Sequence, residues 1–163
     1  MYNSNFFVSV FKLGIAPWMM PKIKKELRKE VENHYKNVPI QKDMANVIKK
    51  LSKKYKLVLI SGNFNHIVKS FLRKHGIANC FKLVIGGDKI RSKLKKFKMC
   101  KKMLKAKNDE ILYITDTVGD LKDGKRMKLL TMATSWGYHS KTELKKLRPN
   151  YIVNKPKEIL EIL

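Results

Sequence analysis

Ile111-Leu112-Tyr113-Ile114-Thr115-Asp116-Thr117-Val118-Gly119-Asp120 is a short apolar run that stops on two aspartates four positions apart. A continuous apolar run bounded by polar turn residues reads as a strand of a parallel sheet. The loop beyond it then carries both carboxylates, Asp116 and Asp120, close enough to share a divalent cation. Mg²⁺ suits such a loop, because it takes one or two carboxylates and keeps water on its other positions.

Working outward, similar apolar runs occur at 57–60, 82–85, 130–133 and 151–153. Between them lie helical patterns carrying Val68, Phe71 and Leu72, then Phe97, Cys100, Met103 and Leu104, and finally Leu144 and Leu147. Strands alternating with helices of this length are the signature of βαβ units. Gly76 falls where the first of these helices should stop, and Ser140 with Glu143 forms a capping box at the start of the last. The fold expected over 52–163 is therefore α/β, a doubly wound, Rossmann-like parallel sheet. Ahead of it, Ile23, Leu27, Val31 and Tyr35 recur every fourth residue along a charged helix that begins near Pro17 to Pro21 and ends by Pro39. Met44, Val47, Ile48 and Leu51 mark a second amphipathic helix. Residues 1–51 are read as a separate helical segment.

At 163 residues the chain is sized for one domain with a small appended layer, and 44% hydrophobic with 31% charged residues is a globular composition. The formal charge of +24 raises nucleic acid as a partner. Against that, only Arg28, Arg73, Arg91, Arg126 and Arg148 among the 37 basic residues are arginine, and the lysines are spread over nearly every helix. Cys80 and Cys100 form no Cys-x-x-Cys pattern and have no neighbouring histidine cluster, which fits neither zinc nor a disulfide framework. Residues 6–20 are apolar but contain Lys12, Gly14 and Pro17 and lack a basic leader, which argues against a signal peptide or membrane span. A reduced, cytoplasmic setting is expected.

In an open parallel sheet, ligands gather beyond the carboxyl ends of the strands. Ser61-Gly62-Asn63 follows the run at 57–60, offering a hydroxyl and a turn into a helix start that attracts anions. Gly86-Gly87-Asp88 follows 82–85, with Ser92-Lys93 opening the next helix, and Thr115-Asp116 with Asp120 follows 111–114. Singly, each has a plain reading: a Ser-Gly turn is ordinary punctuation, and a carboxylate near a helix start is favoured by the dipole. In series, hydroxyl, lysine and paired carboxylates after successive strands make a phosphoryl site. Ser61 would donate to one oxygen, Lys93 would neutralise another, and a metal on Asp116 would bridge a third. His66 and His139 read as packing or loop residues, Asp88 as a turn carboxylate, and the eight methionines as core filler.

This series resembles the haloacid dehalogenase superfamily of phosphohydrolases, in the branch that looks like phosphoglycolate phosphatase, from about residue 13 onward. Leu59-Ile60-Ser61-Gly62-Asn63 is similar to the family's second motif, Ser92-Lys93 to its third, and Ile114-Thr115-Asp116-Thr117-Val118-Gly119-Asp120 to its acidic fourth. The stretches Thr134-Ser135-Trp136-Gly137-Tyr138-His139-Ser140 and Pro149-Asn150-Tyr151-Ile152-Val153 are similar to the tail that follows, and Leu13-Gly14-Ile15 through Pro21 resembles part of the family's helical cap. The resemblance implies a Mg²⁺-dependent phosphatase acting on a small phosphorylated metabolite through an aspartyl phosphate. Ser61, Gly62, Asn63 and Lys93 would bind phosphate, with Lys93 also stabilising the nucleophile, and Asp116 with Asp120 would hold the metal. The family's first motif, Asp-x-Asp-Gly-Thr, supplies the nucleophile and the acid/base, and here no aspartate precedes Asp43. Either the sequence is a fragment that begins within a truncated cap, the favoured reading, or Phe6-Phe7-Val8-Ser9-Val10-Phe11 is a degenerate first strand with Lys12 in the nucleophile's place. The competing functions are a non-catalytic phosphate-binding pseudophosphatase and a basic nucleic-acid-associated protein.

Overall fold

The structure, a computed structural model, describes residues 16–87 and 92–163. The segment 6–15, the side chain of Leu27, and Asp88 and Arg91 lie outside the described residues. The chain divides into two compact units, 1–39 and 40–163.

In the first unit a 3-10 turn, Pro17–Met19, leads into helix α1 (Met20–Asn37), with Pro21 in its first turn, where a missing N–H costs nothing. Ile23, Val31 and Tyr35 are half-buried while their charged neighbours are exposed.

The second unit runs α2 (Met44–Lys54), β1 (Leu57–Ile60), α3 (Asn65–Lys74), β2 (Phe81–Ile85), α4 (Lys93–Leu104), β3 (Leu112–Thr115), α5 (Val118–Arg126), β4 (Leu130–Thr134), α6 (Lys141–Lys146), β5 (Tyr151–Val153) and α7 (Glu158–Ile162). All strand pairs are parallel, and each successive pair of strands is joined through a helix. Local chemistry sets the helix ends. Gly76 takes the left-handed conformation after α3 at φ 64°, and the Ser92, Thr117 and Ser140 side chains cap α4, α5 and α6. The Ser140–Glu143 capping box forms as expected.

The strands do not make one ladder. β1 pairs β2, with Ile60 opposite Ile85, while β3, β4 and β5 form a second sheet in that order, with Ile114 opposite Met132 and Ala133 opposite Ile152. Among the described residues no backbone ladder joins β1 to β3. Helix α2 links them instead. Its Val47 and Leu51 pack with Met132, Val153 and Ile159, while Ile48, on the neighbouring stripe, packs with Val68, Leu72 and Ile77. Leu57 of β1 touches both clusters, and Leu112 and Ile114 of β3 touch the first. Helices cover both faces of β4: Met132 faces the α2 and α7 side, and the next residue, Ala133, packs with Leu121 of α5 and Leu144 of α6. That is doubly wound packing.

The unit boundary differs from the sequence expectation, which grouped 1–51 apart from 52–163. The second unit starts at Ile40, because the apolar stripe of α2 is buried in both core clusters. Cys80 and Cys100 are free thiols, and no described helix is long and apolar enough to cross a membrane.

Candidate active site

At the end of β3, Thr115 is nearly buried, and its hydroxyl does two jobs. It donates to Asp120 Oδ2 at 3.2 Å and accepts from the Thr117 N–H at 3.3 Å, which turns the chain tightly into α5. Thr117 then caps that helix by accepting from the Asp120 N–H at 3.2 Å. The turn separates the two carboxylates. Asp120 points at α4, where its Oδ1 accepts from Lys93 Nζ in a close ion pair. With side-chain exposures of 33% for Lys93 and 15% for Asp120, the pair is partly shielded from water. Tyr113 packs edge-on to Phe97 and is held protonated well above the usual phenol range, first by burial and then by the Asp120 charge.

Asp116 is held from another side. Its Oδ2 accepts from the Tyr138 N–H at 2.8 Å and its backbone carbonyl from the His139 N–H at 3.2 Å, so the loop after β4 lies across the loop after β3. Gly137 permits this approach: a Cβ there would sit 2.2 Å from Asp116 Oδ2.

At the end of β1, the Ser61 N–H donates to the Ile85 carbonyl at 2.9 Å, and the Ser61 oxygen accepts from the Asn63 N–H at 3.1 Å. The hydroxyl hydrogen is left to donate. The Ser61 carbonyl accepts from Lys96 Nζ at 2.6 Å, and Lys96 is 1% exposed. The two glycines after β2 allow their loop to close on this one. The Gly87 N–H donates to the Asn63 carbonyl at 2.7 Å, and a Cβ on Gly87 would lie 2.1 Å from the Gly62 carbonyl. Gly62 itself faces open space.

Of the residues singled out in the sequence, Lys93 of α4 and Asp120 of α5 are in direct contact, and Asp116 lies directly after β3, four residues before Asp120. Ser61 is joined to the same helix through Lys96, three positions along from Lys93 and on the same face. Ser61, Asp116 and Asp120 all lie past the carboxyl ends of their strands. Lys96 escaped the sequence reading, and Thr115, Gly137 and Tyr138 enter it only as parts of motifs, without roles of their own. The only sequence trace of Lys96 is its position one turn after Lys93, beside Phe97.

The donors suit a small hard cation. Asp116, held close to Gly137 where a Cβ would strike it, offers Mg²⁺ an oxygen, and Asp120, in the first turn of α5, adds a second acid four residues on. Among the described residues no group of three or more His, Cys, Asp or Glu side chains converges, so a zinc-type cage is not formed there.

Comparison with known proteins gives the family. Phosphoglycolate phosphatase of Synechococcus elongatus is 20% identical over 153 residues, covering 93% of this chain and 72% of that protein. Pyrophosphatase PpaX of Listeria welshimeri is 25% identical over 112 residues, covering 67% of this chain and 52% of the relative, so the match spans about half of that protein's length. A solved haloacid dehalogenase-like family protein from Streptococcus pneumoniae superposes with a TM-score of 0.79 at 17% identity over 94% of this chain and 74% of that one, a likeness of fold. Residues 2–134 match the family described as haloacid dehalogenase-like hydrolase, and the chain belongs to that family.

Proposed function

We propose that this chain carries the phosphate- and metal-handling half of a Mg²⁺-dependent phosphomonoester phosphatase, and that the attacking carboxylate is not among its residues. The observation that carries the reading is the Lys93–Asp120 pair set beside Asp116 at the end of β3. A buried-edge lysine held by a carboxylate keeps its charge and its position while a phosphate oxygen approaches. Ser61 supplies a hydroxyl donor, and Gly62 lies in the open turn that leads to α3, while the Asn63 N–H is taken by the Ser61 oxygen. A bound Mg²⁺ would neutralise phosphoryl oxygens and align the ester for in-line attack. The two aspartates then divide the work expected of a shared metal site. Asp116 presents an oxygen to the cation, whereas Asp120, with both oxygens engaged by Lys93 and Thr115, adds charge and fixes the lysine.

Hydrolysis through a covalent phosphate needs a nucleophile, and no aspartate precedes Asp43. A strand bearing Asp-x-Asp, seated between β1 and β3, would unite the two sheets and bring that carboxylate to the rim that carries Ser61 and Asp116. The substrate class is a small phosphomonoester. The phosphoglycolate phosphatase relative supports that class, and the pyrophosphatase relative supports the wider one of small phosphorylated substrates.

The test compares this chain with the same chain fused behind a strand bearing Asp-x-Asp, assayed on p-nitrophenyl phosphate with Mg²⁺. Turnover is expected only from the fusion, and Lys93→Met is expected to abolish it. Turnover by the unfused chain would overturn the missing-nucleophile reading. A fusion that folds and binds phosphate without turnover would favour the pseudophosphatase.

A further inference from the structure

Residues 137–139 contribute no side-chain oxygen to the rim, yet they hold Asp116 at two points and the start of α5 at a third. The third point is His139, whose Nδ1 accepts from the Val118 N–H at 3.4 Å. Val118 opens α5, so its N–H has no partner within the helix and needs one from outside. The His139 Nδ1 is the acceptor that supplies it. The same residue's N–H donates to the Asp116 carbonyl at 3.2 Å, and the preceding N–H, that of Tyr138, donates to Asp116 Oδ2 at 2.8 Å. These bonds tie residues 137–139 to 116–118 along their whole length.

We infer that Gly137 and His139 are positioning residues which fix the Asp116 carboxylate so that Oδ1 alone faces the cation. The inference rests on Asp116 being the metal-holding residue, as proposed above. With Oδ2 in a charge-assisted bond to a backbone N–H, the carboxylate is set for single-oxygen coordination, which suits the strict octahedral geometry of Mg²⁺. Gly137 makes the cradle by having no Cβ, and His139 closes it by anchoring the loop on α5. The Tyr138 side chain is 70% exposed and packs edge-on to the His139 ring, with ring centroids 4.8 Å apart, while its N–H holds Asp116. Outer partners of ligating carboxylates tune metal affinity about 10- to 100-fold when removed.

The experiment is a Mn²⁺ titration of the whole chain, with free Mn²⁺ read by electron paramagnetic resonance and folding checked by circular dichroism. Asp116→Asn is expected to remove the site. His139→Ala is expected to weaken Mn²⁺ by about tenfold, and His139→Asn to restore most of that loss because its Oδ1 can stand where Nδ1 accepts. Gly137→Ala gives an independent loss through the cradle and carries the test should His139→Ala fail to fold. If Asp116→Asn binds Mn²⁺ as the parent does, the metal reading fails and the clamp with it. If Asp116→Asn loses Mn²⁺ while His139→Ala and Gly137→Ala keep it, the clamp alone is overturned.

Discussion

Leu51→Ala should show that helix α2 belongs to the core and keeps two separate sheets together. Leu51 is 6% exposed and packs with Met132, Val153 and Ile159, so truncation removes about three buried carbons, worth about 2.4 kcal/mol of transfer free energy at 0.8 per methylene. The cavity left among side chains anchored on β4, β5 and α7 adds to that, giving about 3 to 4 kcal/mol within the 2 to 5 seen for such changes. Against a total of about 5 to 15 kcal/mol for a domain, this is a large share, and it lowers Tm by about 10 °C. The assay is urea unfolding in a Trp18→Phe background. It is followed by Trp136 fluorescence, since Trp136 packs on the same cluster, and by far-ultraviolet circular dichroism, which sees both sheets. The parent should unfold in one transition by both probes, because Leu57 and α2 are shared between the clusters on either side of the split. A loss below about 1 kcal/mol, or separate transitions in the parent, would refute the role given to α2.

Gly87→Ala should cost about 1 to 3 kcal/mol by overpacking and weaken phosphate binding, since its Cβ would meet the Gly62 carbonyl at 2.1 Å; Gly62→Ala, facing open space, should be tolerated in the same urea assay. Cys80, half-buried, should react with a thiol reagent in the native state, whereas Cys100, whose thiol burial pushes up from its ordinary value, should react only on unfolding. Glu143 is held below the ordinary carboxylate range by its bonds to the Ser140 side chain and N–H, so its contribution is present above the unfolded value and lost as pH falls through the folded one. Ser140→Ala should therefore lower Tm at neutral pH, and the difference from the parent should shrink as the solution is acidified through the range where Glu143 protonates.

What could be read from the sequence was whatever depends on neighbours in the chain. The runs at 57–60 and 151–153 became β1 and β5 at those bounds, and the Ser140–Glu143 box formed, because periodicity and capping act over a few residues. The α2 stripe also announced a buried face, but the pattern Met44, Val47, Ile48, Leu51 cannot name what covers it, and the partners lie as far along the chain as Ile159. Spacing likewise put Asp116 and Asp120 in one loop without fixing their directions. The Thr115 and Thr117 hydroxyls set those, sending Asp120 to Lys93 while Asp116 meets the loop from β4. Gly137 carries no turn signal; it matters because of a carboxylate twenty-one residues away that a Cβ would strike.

Lys96 shows why the split sheet and the site are one problem. A buried lysine amine needs hydrogen-bond partners, and Lys96 has one in the Ser61 carbonyl. Its placement also has a geometric result. Lys96 and Lys93 stand one turn apart on α4, the first bonded to the end of β1 and the second to Asp120 beyond the end of β3. Where no backbone ladder joins those strands among the described residues, α4 bridges them at the rim just as α2 bridges them through the apolar core. The bridge also places two cations where a phosphate would arrive and leaves only one of them, Lys93, partly open to solvent. In a chain of charge +24, attraction for phosphate is general, but a lysine held at a fixed point between two strand ends turns that attraction into a position.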